Sequence, residues 1–365
     1  MPIKAKKSIY NIAPYIAGAS QSDNTQPIIK LSSNEGALGP SPMAIKAVNN
    51  MTANMHRYPD SGCVDLRYAL AESNNINADH IICGAGSDEL ISLLCQAYIG
   101  EGDEMLYSAH GFLMYPISAM AAGGTPVKAP ETEDLKTSVD NLLSAVTPAT
   151  KILFIANPNN PTGTYIKRDE IVHLRKNLRD DILLVLDAAY CEYVDDPDYT
   201  SGHDLVEAYD NIVVLRTFSK LYALGGVRLG WAHAPEHVID ILNRVRGPFN
   251  VSSVAQIAGL AALQDDEFLQ ESLALNKEMR DLTIQTLNDL DYTVIPSACN
   301  FVLADFGSAE NANHILTSWQ KRGVLVREMG AYGLPSFLRI SVSNRKDMEL
   351  ALGYLKDIHL SLIHI

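Results

Sequence analysis

Short β-rich runs alternate with helix-like stretches through the middle of this chain, and that alternation narrows its possible folds more than any other feature. Runs suited to strands occur at Ile81–Cys83, Glu104–Tyr107, Lys151–Ala156, Ile182–Asp187, Asn211–Arg216 and Val227–Ala232. Helical patterns such as Ser87–Tyr98 and Arg168–Leu178 fall between several of them. Repeated strand–helix units build a mostly parallel sheet with helices on both faces. A strand buried on both faces is a near-continuous apolar run, and Ile182-Leu-Leu-Val-Leu186 is one. The expected class is α/β.

After about residue 250 the texture changes. Ser252–Leu263 and Glu267–Leu290 suggest long helices, and Phe301–Ala304 and Leu338–Val342 suggest strands. The expected organisation is an arm over 1–35, a large domain over 36–250 and a smaller α+β domain over 251–365. A chain of 365 residues has room for two such units. No apolar run is long enough to span a bilayer, and the basic N-terminus lacks the apolar core of a signal peptide. A formal charge of −14 argues against a nucleic-acid partner. Five widely spaced cysteines without a CxxC suggest reduced thiols and a cytoplasmic setting. His233 and His237 are four apart, but Pro235 separates them and a third ligand is missing, so no metal site is expected.

Ligands of open α/β sheets bind beyond the carboxyl ends of the strands. The residues there are Asn157-Pro-Asn-Asn-Pro-Thr-Gly163, Asp187-Ala-Ala-Tyr190, and Thr217-Phe-Ser-Lys220 followed by Arg228. A lysine, a carboxylate and an arginine together meet the needs of pyridoxal phosphate. Lys220 would hold the cofactor as an imine and shuttle the substrate proton; alone it would read as a surface lysine. Asp187 ends a very apolar strand, where a carboxylate is costly unless paired, and a pyridinium N–H would pair it. A helix N-cap is its plainer role. Tyr190 and Asn160 would tune the ring's phenolate oxygen, although Asn-Pro also forms turns without any ligand. Gly86, Ser87 and Asp88 would offer a helix N-terminus to the cofactor phosphate. Ser219 would add a hydroxyl and Arg228 a bidentate fork. Phe112 would stack on the ring, or simply pack in the core.

Asn160-Pro-Thr-Gly163, Asp187-x-x-Tyr190, Ser219-Lys220 and Arg228, in that order and spacing, resemble the fold-type I aminotransferases over nearly the whole chain. The branch that the chain resembles is the histidinol-phosphate aminotransferases. The residues concerned are Pro14-Tyr15, Leu31-Ser-Ser-Asn-Glu35, Arg57-Tyr-Pro-Asp60, Ser87-Asp-Glu89, Asn159-Asn160, Gly323-Val-Leu-Val-Arg327 and Leu338-Arg-Ile340. The resemblance implies a homodimer with shared active sites, in which Tyr58 reaches the neighbouring subunit's cofactor phosphate. It further implies that Tyr15, Asn34, Arg327 and Arg339 face the substrates, a phosphorylated amine and glutamate or 2-oxoglutarate.

Two departures lie near the substrate side. Gly36-Ala37 follows Asn34-Glu35 where many members have Asn-Pro, and Ser343-Asn344 stands where glycine is usual. They leave open an aromatic amino-acid aminotransferase or a threonine-phosphate decarboxylase. A non-enzymatic ligand sensor is a further alternative. Such a sensor carries an added DNA-binding segment, and the residues ahead of Leu31 are neither helical in pattern nor strongly basic.

Overall fold

The computed structural model describes residues 3–16, 18–21 and 27–363. Parts of the expected arm, at 1–2, 17 and 22–26, lie outside the described residues. Two sheets organise the rest. The larger contains β2 (Ile81–Gly84), β3 (Glu104–Ser108), β4 (Thr125–Ala129), β5 (Thr150–Ala156), β6 (Leu183–Asp187), β7 (Ile212–Thr217) and β8 (Gly230–His233). Their spatial order is β2-β8-β7-β6-β5-β3-β4. Only β8 runs against its neighbours.

Side chains alternate between the faces of a strand, and here both faces are covered. Ile152, Phe154, Val185, Val213 and Leu215 enter one core. Leu153, Ile155, Leu184, Leu186, Ile212 and Val214 enter another on the opposite face. That double burial is why β5 to β7 are continuous apolar runs. The expected strand Val227–Ala232 begins later than its composition suggests. Gly225–Val227 is a 3-10 turn and Arg228 adopts φ 59°, so pairing starts at Gly230.

The second sheet has the order β1-β11-β12-β10-β9. Its members are β1 (Ile29–Leu31), β9 (Thr293–Ile295), β10 (Phe301–Asp305), β11 (Val324–Glu328) and β12 (Phe337–Ser341). Helices Asp266–Asp289, Ala309–Gln320 and Arg345–Ile363 pack with it, and Trp319 is in their shared core. β1 comes from the expected arm, yet it pairs in parallel with β11, Ile29 opposite Val324. The expected division at 250/251 also meets a difficulty. Helix Ser253–Ala262 buries Ala255, Ala258 and Ala262 with Leu66, Phe218 and Trp231 of the first unit. A Cβ on Gly259 would come 2.4 Å from Leu229 Cδ2. We therefore propose that the division falls at the start of the helix Asp266–Asp289.

Candidate active site

β5, β6 and β7 are parallel and end on one rim. β8 runs the other way, so its first residues lie on that same rim, with Gly230 beside Thr217 and Gly84. Strand polarity alone therefore gathers Asn160, Asp187, Lys220, Arg228 and the helix beginning at Ser87. They surround a cavity of about 400 Å³ that Phe112, Tyr115, Tyr190, Ser219 and Asp88 also line.

Asp187 is nearly inaccessible, at 5%. Its Oδ2 accepts a 2.8 Å hydrogen bond from the Tyr115 hydroxyl, whereas its buried Oδ1 has no partner. Burial raises the carboxyl to about 6, against the opposing pull of Tyr115, the Ala189 backbone N–H and Lys220. Lys220 moves the other way. Burial and the Arg339 charge lower its amine to about 8. Its Nζ lies 5.6 Å from the centre of the Tyr190 ring. The Tyr190 hydroxyl is buried, which raises it above its ordinary range.

Asn34, expected to face substrate, instead donates from Nδ2 to the Tyr190 hydroxyl at 3.0 Å. It is itself locked by Ser341 and Asn300. Asn160 accepts a 2.5 Å bond from Arg339 Nη1, and Arg339 Nη2 donates to Ser32 O. Both Asn-Pro bonds of this turn, at 157–158 and 160–161, are cis. Arg339 stands opposite Arg327 across β12 and β11. Arg327 donates to the carbonyl of Ile16, which anchors the segment carrying Tyr15 at the cavity. Among the described residues neither arginine forms an ion pair with a carboxylate. Two neighbouring guanidinium groups, one of them buried, call for an anion.

The joint between β2 and the helix Ser87–Tyr98 suits a second anion. Gly86 has φ 93°, a conformation open to glycine. A Cβ there would come 2.3 Å from Arg228 Nη2 and from Asp88 Oδ1. Arg228 donates to Asp88 at 2.5 Å, to Gly225 O at 3.0 Å and to Ser219 Oγ at 3.5 Å. The N-terminus of the helix Ser87–Tyr98 adds free backbone N–H groups and a favourable dipole.

Tyr58 is not part of this cavity. It is 83% exposed, stacks on Phe249 at 4.7 Å and lines a separate surface hollow with Met51, Met55 and Pro248. His233 and His237 also part company: one ends β8 and the other opens a helix. Ligand atoms of His233, His80 and Glu207 instead lie within 4.8 Å of one another. Their wiring disfavours a cation. Arg216 can only donate, so His203 Nε2 accepts from it, and His203 Nδ1–H then meets His233 Nδ1. His233 Nε2 must therefore carry the proton that it shares with Glu207.

Sequence reasoning missed Tyr115. A tyrosine in an apolar helix looks like core, and only its distance to Asp187 sets it apart. The rim suits pyridoxal phosphate. It has an unpaired carboxylate oxygen for a ring N–H, an amine of lowered basicity lining the same cavity, and a helix N-terminus beside an arginine suited to a phosphate.

Comparison with known proteins agrees. The family model for aminotransferase class I and II matches residues 26–355. The histidinol-phosphate aminotransferase of Paramagnetospirillum magneticum is 52% identical over 354 residues, covering 96% of this chain and 97% of that protein. That of Rhodospirillum centenum is 50% identical over 353 residues, covering 96% of each. The crystal structure of the histidinol-phosphate aminotransferase from Sinorhizobium meliloti, in complex with pyridoxal-5'-phosphate, superposes with a TM-score of 0.87. It is 28% identical, and 91% of each chain is covered. The chain belongs to the aminotransferase class I and II family.

Proposed function

We propose that this enzyme moves an amino group between L-histidinol phosphate and 2-oxoglutarate, giving imidazole-acetol phosphate and L-glutamate in either direction, as a step of histidine biosynthesis. The observation that carries the substrate reading is the Arg327–Arg339 pair. Both groups bond only to neutral oxygens among the described residues. A guanidinium fork accepts a carboxylate or a phosphate ester in the same place. The names of the relatives at 50% identity and above point the same way.

Pyridoxal phosphate, when bound, supplies an aldehyde that carries the amino group and a ring that withdraws electrons. The chain's residues do the rest. Asp187 Oδ1 would accept the hydrogen bond of the protonated ring nitrogen. Lys220 Nζ, mostly neutral above about pH 8, would take the proton from the amine-bearing carbon of the substrate and deliver it to the carbon that bore the cofactor's aldehyde oxygen. Tyr190 and Asn160 would flank the ring's oxygen. Gly86, Ser87, Asp88, Ser219 and Arg228 would hold the cofactor phosphate, and Phe112 would cover the ring. Tyr15 closes over substrate, Arg327 and Arg339 bind its anion, and Asn34 acts through Tyr190.

The enzyme works as a homodimer in the cytoplasm. Exposed Met55, Tyr58 and Phe249 around one hollow support pairing, with Tyr58 serving the neighbouring site. Five free, buried cysteines suit a reducing compartment. The test is amino transfer from glutamate to imidazole-acetol phosphate by purified protein. Parallel double-reciprocal plots and a visible band absent from Lys220→Ala are the expected result. Failure to use glutamate, or a higher kcat/KM with phenylpyruvate, would overturn the substrate reading.

A further inference from the structure

We propose, building on the cofactor reading above, that Tyr115 is a positioning residue that fixes the charge and the orientation of Asp187 for the cofactor's ring nitrogen. Tyr115 is fully buried. Its ring stacks on Phe154 at 4.7 Å, with 9° between planes, and packs edge-on to Tyr107 and Phe112. Held on three sides, its hydroxyl points at Asp187 Oδ2, 2.8 Å away. Burial and the neighbouring carboxylate hold the phenol well above its ordinary range, so it stays a donor. One carboxylate oxygen is thereby occupied and the plane of the group is set. Oδ1, the oxygen without a partner, is left for the cofactor.

Charge follows from the same contact. Asp187 is faced by the Ala189 backbone N–H and the Lys220 amine, which favour its ionised form, and by the Asp88 carboxylate, which opposes it. The Tyr190 and Tyr332 hydroxyls near this pair are held neutral by burial. Tyr115 is the side chain that donates to the carboxylate, and a donor stabilises the charged form. Without it, burial keeps the proton on Asp187 at higher pH. A neutral carboxyl no longer pairs with a pyridinium.

The experiment is a titration of the apo-enzyme with pyridoxal phosphate, followed by absorbance from about pH 5 to 9. Tyr115→Phe keeps the ring and its stacking. Its dissociation constant is expected to rise about tenfold near neutral pH, the worth of a hydrogen bond to a charged group. The pH below which affinity is lost should move up by about one unit. In an Asp187→Asn background the same substitution should change neither. An unchanged midpoint, or an equal loss in both backgrounds, would overturn the inference while the cofactor reading stood. A wild-type protein that failed to take up pyridoxal phosphate would overturn both.

Discussion

At the scale of single residues, the site is held in a state that costs stability. Asp187 sits at the end of a strand with no exposed residue, and one of its oxygens is bare. Burial raises its carboxyl from 3.8 to about 6. The folded state therefore binds the proton more readily than the unfolded chain. The stability from that binding is complete below about pH 4 and is lost as pH rises through 6. Asp187→Asn does not titrate. In urea unfolding of apo-protein it should be more stable than the parent at pH 8, by on the order of 3 kcal/mol. The difference should vanish below about pH 4, and equal stabilities at pH 8 would refute it. Asp187 was legible in sequence because it breaks its context, a carboxylate after five apolar residues, and Lys220 only because Asp187 and Arg228 stand at neighbouring strand ends. Tyr115 breaks nothing. The partner of Asn34 was equally hidden, since Ser341 is 307 residues away.

Secondary-structure elements were readable where burial was two-sided and obscure elsewhere. The helix Ser87–Tyr98 carries Leu90, Ile91 and Leu94 at helical spacing, and both of its ends match the expectation. β4 escaped notice because Pro126 and Lys128 suit an edge strand, where one side of the ladder is free. The late start of β8 escaped because the backbone turn at Arg228, with φ 59°, leaves no compositional mark. The joint between β2 and its helix is the element most sensitive to change. Gly86→Ala places a methyl group against Arg228 and Asp88 in a conformation that disfavours any side chain. A strained left-handed residue costs about 1–3 kcal/mol. The expected outcome is cofactor affinity weakened roughly tenfold or more, with kcat at saturating cofactor within a few-fold of wild type. A cofactor titration with matched kinetics checks this, and unchanged affinity would count against the anion corner.

For the whole molecule, the two units are neither consecutive nor independent. The chain contributes β1 to the second sheet, builds the first unit, and then returns to complete the second. Expecting 1–35 as a separate arm missed this because three residues are too few to carry a pattern. Each unit holds one of the two tryptophans, Trp231 in the first and Trp319 in the second. Leu31 is fully buried beside Ile315 and Val326. Leu31→Ala should lower the stability reported by Trp319 fluorescence by about 2–5 kcal/mol, the cost of a core leucine. The measurement is denaturant unfolding in a Trp231→Phe background, and an unmoved Trp319 transition would mean that β1 adds nothing to the second core.

The pairing of Ile29 with Val324 also sets a waiting time. During synthesis β1 leaves the ribosome roughly 15–60 s before its partner strand exists, at about 5–20 residues per second. Through that interval it is a strand with no sheet to join. Its brevity and the charge of Lys30 disfavour pairing with strands of other nascent chains.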